Sequence, residues 1–136
     1  AIDPRFGSTW GTRLIEGRWI DTRDHADAER VAVVDTKFVE RHAGGRPVLG
    51  QRFRVSPGES DDRVVTLVGV VEALTIEDVD DPPEGVVLVP LAQETPAFAT
   101  VALRVRGDPG AYKPRLAEVM RGIDPDTPLY WVRTWD

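Results

Sequence analysis

The side chains that most often carry acid–base catalysis are scarce in this sequence. Histidine occurs only at His25 and His42, and cysteine does not occur at all. His25 lies in a charged stretch, and His42 falls near the end of a short predicted helix, where a cation interacts favourably with the helix dipole. A catalytic histidine needs a second group that orients it, and neither position indicates one. We therefore expect a protein without catalytic residues.

An acidic segment over residues 75–85 is the second place where chemistry could occur. Its carboxylates are Glu77, Asp78, Asp80, Asp81 and Glu84. A calcium loop spaces its oxygen ligands around a glycine turn, but a Pro-Pro pair stands where that turn would fall. We expect a solvated loop that holds no metal. Its acids at positions 77, 78, 80 and 81 could instead face the basic surface of a partner.

Tryptophan is the residue type whose distribution suggests an interaction surface. The four tryptophans lie in two pairs, Trp10 with Trp19 and Trp131 with Trp135. Most tryptophans pack in cores, since each buries a large area. We predict that Trp131 and Trp135 share one face of a final strand and that an exposed aromatic there contributes to a partner surface.

The composition excludes several classes of protein. The 136 residues suffice for one domain with its own core, and a formal net charge of −6 without a basic cluster argues against nucleic-acid binding. The glycines at positions 44 and 45 lack the lysine and the following helix of a phosphate-binding loop, so no cofactor is expected.

No apolar run reaches the roughly 20 residues needed to cross a bilayer. No signal peptide is visible, and the abrupt start fits a fragment of a longer protein.

The first two thirds of the chain predict a series of short elements. Asp3 followed by Pro4 indicates a helix over residues 4–10. An extended piece at residues 14–15 precedes a polar, solvated stretch over residues 21–30. The apolar run 31–34 predicts a strand buried on both faces, followed by a helix that Asp35 or the next residue caps. Further strands are predicted over residues 52–55, 64–74 and 86–89, with a bulge or a close backbone approach at Gly69.

The last third predicts a β-α-β ending. Apolar and polar residues alternate over 101–106, as in a strand with one solvated face. Asp108 and Pro109 then start a helix, whose regular part is expected to begin near Pro114 because proline removes a hydrogen bond. Apolar residues recur at helical spacing in that helix, at Leu116, Val119, Met120 and Ile123. A final strand is predicted over residues 129–135.

The order of these segments resembles one known family. Residues 2–6 and 14–18 are similar to its "SPgYF" and "GR.F" regions, and residues 31–38 to "vaiVNeaFa", with Asp35 in place of the usual asparagine. Residues 49–53 resemble "plGkri", residues 67–71 resemble "tIVGVV" and residues 87–93 resemble "vYlPyaQ". The segments at 104–109 and 123–129 resemble "vRt.gDP" and "alDPdlPl". This is the pattern of MacB-like periplasmic core domains, which belong to ABC-transporter permeases of the MacB, FtsX and lipoprotein-release group.

The resemblance implies an α+β fold with a mixed sheet, in which a β-α-β porter-like lobe carries a smaller, mostly β inserted lobe. Residues 1–45 and 99–136 would belong to the porter-like portion and residues 46–98 to the inserted portion. The chain would be one domain, the later part of such a core domain, on the extracytoplasmic face of the cell membrane.

The function implied is non-catalytic coupling. The domain would link the cytosolic ATPase cycle to a substrate or partner protein outside the membrane. Its partners would be the permease's own membrane helices, the ATPase indirectly, and a periplasmic adaptor or substrate protein, in a full-length protein that dimerises. A freestanding module that binds a small molecule or peptide is the alternative. A hydrolase using Asp78 and Asp80 is a third hypothesis.

Overall fold

The computed structural model describes residues 1–56, 62–74, 85–94, 96, 99–126 and 128–134. These residues form two compact units, Ala1–Val101 and Ala102–Asp136. The helices and strands of the first unit are, in chain order, α1 (Phe6–Trp10), β1 (Leu14–Gly17), β2 (Val31–Asp35), α2 (Thr36–Ala43), β3 (Arg52–Val55), β4 (Arg63–Val71) and β5 (Val87–Leu88).

The strands of the first unit join in one mixed sheet around β4. This strand pairs with β2 in parallel, and with β1 and β3 in antiparallel orientation. β2 in turn pairs with β5, antiparallel. β3 bonds to the first half of β4 and β1 to its last residues, so the two short strands follow each other along β4. The predicted α+β class with a mixed sheet is confirmed.

The predicted succession of a buried strand and a helix is also confirmed. All five residues of β2 are buried. Asp35 caps α2 by accepting a hydrogen bond from the Phe38 amide at 2.9 Å. Gly44 ends the helix in the left-handed conformation with φ of 58°, which glycine adopts without steric cost.

The sheet carries apolar clusters on both of its faces because successive residues of β2 point to opposite sides. Val34 belongs to the cluster under α2, and Val33 to the cluster that α1 covers. The first cluster contains Ala32, Val34, Phe38, Ala43, Val48, Val65, Leu67 and Val70. The second contains Ile2, Ile20, Val33, Val71, Leu74 and Leu88. This two-sided burial explains why β2 is apolar at consecutive positions.

Gly69 is the predicted close-approach point, and the structure confirms it. The β2–β4 register shifts so that Ala32 pairs with Leu67 but the next residue, Val33, pairs with Gly69. A Cβ atom at Gly69 would lie 2.1 Å from the carbonyl oxygen of Arg18. Only glycine therefore lets the segment after β1 lie against β4 at this point.

Some element boundaries differ from the prediction. α1 begins at Phe6 rather than at Pro4, and its N-cap is Arg5. The Asp3 carboxylate accepts a hydrogen bond from the Arg5 amide at 3.1 Å, so it caps a turn in front of the helix. β4 ends at Val71, ahead of the predicted end at position 74.

The second unit is built around one helix. A 3-10 turn over Pro109–Tyr112 precedes α3 (Lys113–Ile123). The carboxylate of Asp108 accepts a hydrogen bond from the Gly110 amide at 2.8 Å, as expected for the cap. The regular helix begins one residue before Pro114, where the proline costs no intrahelical hydrogen bond. The predicted start of the regular helix near this proline is confirmed.

The strands predicted on either side of this helix are wrong for the residues that the structure describes. Neither 101–106 nor 128–134 forms a strand. A strand exists only with a hydrogen-bonded neighbour, and the described part of the chain places none beside either segment. The alternating pattern over 101–106 indicates a segment able to form a strand, but a pattern alone does not supply a neighbouring strand.

The division of the chain at residues 45 and 98 stays a prediction. The described sheet contains strands from both sides of residue 45.

Among the described residues, no helix combines the length and the apolar character that a membrane crossing requires.

Candidate functional surfaces

Of the predicted partner surface, only Trp131 lies among the described residues. It is 88% exposed and has φ of 49°, a left-handed conformation that is uncommon for a bulky residue. Because no strand forms over residues 128–134, the predicted placement of Trp131 on the face of a final strand is wrong. Trp135, Glu77, Asp78, Asp80 and Asp81 lie outside the described residues.

His42 packs against an aromatic ring of its own helix. Its ring lies 4.5 Å from that of Phe38, centroid to centroid, one turn earlier on α2. It also borders a hollow of about 140 Å³ together with Arg46, Gln51 and Phe53. Ligand pockets usually measure about 300–1,000 Å³. The hollow therefore does not favour binding of a small molecule.

Among the described residues of the first unit, Asp35 is the most enclosed charged one, with 0% of its surface exposed. Besides capping α2, its carboxylate accepts hydrogen bonds from the amides of Val86 at 3.0 Å and Leu74 at 3.3 Å. Three backbone donors thus satisfy one buried carboxylate, as burial of a charge requires. The sequence predicted the cap, but not that the same group fastens the backbone after β4 and before β5.

An ion pair that the sequence did not reveal fixes the segment after β1. The guanidinium of Arg18 donates two hydrogen bonds to the carboxylate of Asp24, both at 2.8 Å. Asp24 is only 4% exposed, although it lies in the stretch predicted to be solvated. The hydrogen bonds from Arg18 lower the pKa of Asp24 despite its burial. Beside it, Arg23 lowers the pKa of Asp21 by the same means.

Gln93 ties the same region to the end of the sheet. Its amide nitrogen donates to the carbonyl oxygens of Glu29 at 3.0 Å and His25 at 3.2 Å. Its amide oxygen accepts a hydrogen bond from the Val31 amide at 3.4 Å. One side chain therefore holds the approach to β2. The only sequence signal was the position of this glutamine at the end of the "vYlPyaQ" resemblance.

The first pair of tryptophans packs with Phe6. The rings of Phe6 and Trp10 stack with centroids 5.4 Å apart, and Trp19 lies 6.4 Å from Phe6. A Cβ atom on Gly7 would approach the Trp19 ring to 2.6 Å, so this ring rests on the glycine of α1. Trp19 is half-buried, in agreement with the packing role expected of most tryptophans, whereas Trp10 stays 42% exposed.

The second unit exposes most of its apolar side chains. Among its described residues, no side chain is buried. On α3, Val119 is 44% and Ile123 is 73% exposed, although both belong to the apolar stripe. Other exposed apolar residues of this unit are Leu103, Tyr112, Leu129, Tyr130 and Val132. Exposed apolar surface of this kind is typical of protein interfaces, membrane contacts and ligand-binding grooves.

No metal site is found in the part of the chain that the structure describes, since no three acidic or histidine side chains there group around one point.

Comparisons with known proteins place these features in one family. The family profile described as "MacB-like periplasmic core domain" matches residues 1–123. A search of curated proteins finds no match.

Two solved structures are similar in fold. The periplasmic region of MacB from Actinobacillus actinomycetemcomitans has a TM-score of 0.62 at 13% identity, covering 89% of this chain and 54% of that one. A domain of a putative permease from Porphyromonas gingivalis has a TM-score of 0.53 at 24% identity, covering 91% of this chain and 58% of that one. The chain thus spans little more than half of either structure. Since the family profile covers most of the sequence, the chain belongs to the MacB-like periplasmic core domain family.

Proposed function

We propose that this chain is a non-catalytic, extracytoplasmic part of an ABC-transporter permease. It transmits movements of the permease's membrane helices, which the cytosolic ATPase drives, to a substrate or partner protein outside the membrane. The observation that carries this proposal is the family match over residues 1–123. In the membrane, the full-length permease would act as a dimer.

The construction of the first unit supports a mechanical role. A domain that transmits movement must move as a rigid body, because internal deformation would reduce the displacement that it passes on. Its sheet is packed on both faces, and Asp35 and the Arg18–Asp24 pair hold the segments around the sheet with buried or half-buried hydrogen bonds. Gln93 adds exposed hydrogen bonds to the segment before β2. These polar groups thus link separate segments of the chain to the sheet.

Trp131 is the described residue of the proposed partner surface. Its ring is almost fully exposed, and a rigid aromatic side chain supplies a large contact area at a small cost in conformational entropy. The acids at positions 77, 78, 80 and 81 are the other predicted contact residues, and they would face basic groups of the partner.

The proposal requires that this chain be part of a membrane protein, and the sequence of the gene tests this requirement directly. The reading frame that contains this segment should encode transmembrane helices on both sides of the domain. A reading frame without them would refute the permease function and favour the freestanding binding module.

Coupling itself can be tested by spin labelling, because the chain contains no cysteine. In an otherwise cysteine-free permease, reconstituted with its ATPase, one label replaces exposed Glu40 on α2 and a second is placed at the outer end of a membrane helix. We expect the distance between the two labels to change when ATP binds. A second pair at Glu16 and Glu40, both within the first unit, is the matched control and should keep its distance.

An ATPase variant that cannot bind nucleotide should abolish the change. If the membrane-helix distance stays constant with active ATPase, the domain does not couple to nucleotide, even though it belongs to a permease. If the distance within the first unit changes instead, this unit is not the rigid body proposed.

A further inference from the structure

The hollow at the end of α2 combines basic side chains with an apolar wall. It has a volume of about 140 Å³ and lies within the first unit, between the end of this helix and the start of β3. Pockets for small molecules usually measure about 300–1,000 Å³, so the hollow has room for a single side chain rather than for a whole ligand. Its lining residues are His42, Ala43, Arg46, Pro47, Gln51 and Phe53.

Hydrogen bonds to the backbone hold the polar side chains of the hollow in place. The Nε atom of Arg46 donates to the carbonyl oxygen of Ala43 at 3.0 Å. A guanidinium carries several N–H donors in a fixed fork, so this bond orients the group while its terminal nitrogens remain for another acceptor. The side-chain amide of Gln51 donates to the carbonyl oxygen of Pro47 at 2.8 Å. Among the described residues, no acidic side chain forms an ion pair with Arg46.

The charged side chains along this part of the sequence are all basic. Residues 41–58 contain no aspartate or glutamate, although the whole chain has a formal net charge of −6, and they contain arginine at positions 41, 46, 52 and 54. Arg52 and Arg54 alternate with Phe53 along β3, so they lie on the opposite face of that strand from the hollow. Arg46 is therefore the arginine that borders the hollow, and no acid is among the lining residues.

An acidic side chain fits both the charge and the apolar wall of the hollow. Its carboxylate accepts charge-assisted hydrogen bonds from the guanidinium of Arg46, and the imidazole of His42 has an N–H donor in either charge state. Its methylene groups contact the ring of Phe53, which is half-buried and packs against the cluster under α2. Phosphate has no apolar part for this wall. The lining thus favours a glutamate or aspartate over a phosphate group.

We propose that the hollow binds an exposed acidic side chain of a partner polypeptide, with Arg46 as the main contact. His42 and Gln51 add hydrogen bonds, and Phe53 contacts the methylene groups of the bound residue. One exposed ion pair contributes little affinity by itself, so the hollow fixes the position of a larger contact rather than supplying its strength. The inference does not depend on the coupling role proposed above, because binding to the hollow can be measured on this chain alone.

A titration followed by nuclear magnetic resonance tests which chemical group the hollow accepts. The probe is a capped peptide, acetyl-Gly-Glu-Gly-amide, and the matched peptide has glutamine in place of glutamate. We expect the glutamate peptide to shift the side-chain N–H signals of Arg46 and Gln51 and to bind at least about ten-fold more tightly than the glutamine peptide, because hydrogen bonds to charged groups are stronger. Inorganic phosphate should bind more weakly than the glutamate peptide.

Two arginine variants separate the hollow from a general effect of charge. Arg46→Gln should abolish the shift at Gln51, whereas Arg52→Gln removes the same charge from the other face of β3 and should change the affinity by less than about two-fold, since solvent and salt screen it. The dispersed spectrum of each variant shows that it folds. Equal losses in the two variants would contradict the proposal. Tighter binding of phosphate, or no shift with the glutamate peptide at millimolar concentrations, would overturn it as well.

Cross-linking in the intact permease identifies the source of the acidic side chain. A photoreactive benzophenone residue takes the place of Pro47 at the rim of the hollow. We expect cross-links to a segment of another protein that contains aspartate or glutamate, and we expect Arg46→Gln to remove them and Arg52→Gln to retain them. Cross-links to lipid alone would assign the hollow to a membrane contact, and cross-links to a second copy alone would assign it to an interface between copies. Either result would overturn the proposal, and so would the absence of cross-links.

Discussion

Replacing Asp35 tests whether one buried carboxylate fastens the first unit. Asp35→Ala removes the acceptor for three backbone amides, those of Phe38, Leu74 and Val86, which lie 2.9, 3.3 and 3.0 Å from the carboxylate oxygens. No water replaces it at a position with 0% exposure unless the structure opens. The amides are then buried without partners.

The expected loss can be estimated from these contacts. Loss of a helix cap costs about 1 kcal/mol, and each buried donor left unsatisfied costs about 1–3 kcal/mol. Because partial relaxation makes such terms less than additive, we expect a loss of about 4 kcal/mol in the free energy of unfolding. Asp35→Asn keeps an oxygen for two of the amides but turns an NH₂ group toward Leu74. Its expected cost is about 1–2 kcal/mol.

Urea unfolding followed by tryptophan fluorescence and circular dichroism measures both losses. The matched control is Asp3→Ala, which removes a single exposed hydrogen bond to the Arg5 amide and should cost less than about 1 kcal/mol. The reasoning is refuted if Asp35→Ala costs no more than the control. It is also refuted if alanine and asparagine at position 35 are equally destabilising, since the remaining oxygen would then contribute nothing.

Two further perturbations probe the neighbouring contacts. Gly69→Ala should lower the free energy of unfolding by about 3 kcal/mol, because the added Cβ atom meets the Arg18 carbonyl. Gly122→Ala has open space around the added atom and should not destabilise the protein. Equal urea midpoints for these two variants would contradict this prediction. Asp24, whose pKa is lowered in the folded protein, contributes stability that is complete above about pH 4 and is lost as the pH falls through its folded pKa. Asp24→Asn should therefore reduce the loss of stability at acid pH and lower the free energy of unfolding by about 2–3 kcal/mol at neutral pH. Asp62→Asn, at an exposed ion pair, should do neither. If Asp24→Asn loses as much stability at acid pH as the unchanged protein, the role assigned to Asp24 is refuted.

The elements that the sequence predicted well are those determined by local signals. The apolar run of β2 and the cap at Asp35 both act within a few residues, so β2 and the start of α2 were predicted with nearly the right bounds. The close approach at Gly69 was also predicted, because glycine inside an apolar strand has few other uses.

The elements that were predicted wrongly depend on partners far away in the sequence. The alternation over 101–106 identifies a segment that is able to form a strand, but pairing requires a neighbour that no local pattern supplies. The burial of Asp24 depends on a nearer partner, the guanidinium of Arg18, which reaches it across a turn. Its charge alone predicted solvent exposure.

The proposed partner surface stays a prediction. It rests on residue type alone, aromatic and acidic, and only Trp131 of it lies among the described residues. Asp35 and Gln93 each make three hydrogen bonds to backbone groups, but the sequence indicated them only as a helix cap and as part of a family motif. A hydrogen bond to a distant backbone amide leaves no periodic trace in the sequence.

The central place of β4 in the sheet has a consequence for the way the chain folds. β3 lies close to β4 in sequence, but β1 pairs with it across most of the unit, as in the contact of Leu14 with Val71. Closing a short loop is faster than closing a long one, so the β3–β4 hairpin is expected to form before β2 and β1 join. Until then, the apolar residues of β4 remain open to other chains. We therefore expect this domain to be most prone to aggregation before β1 has paired with β4.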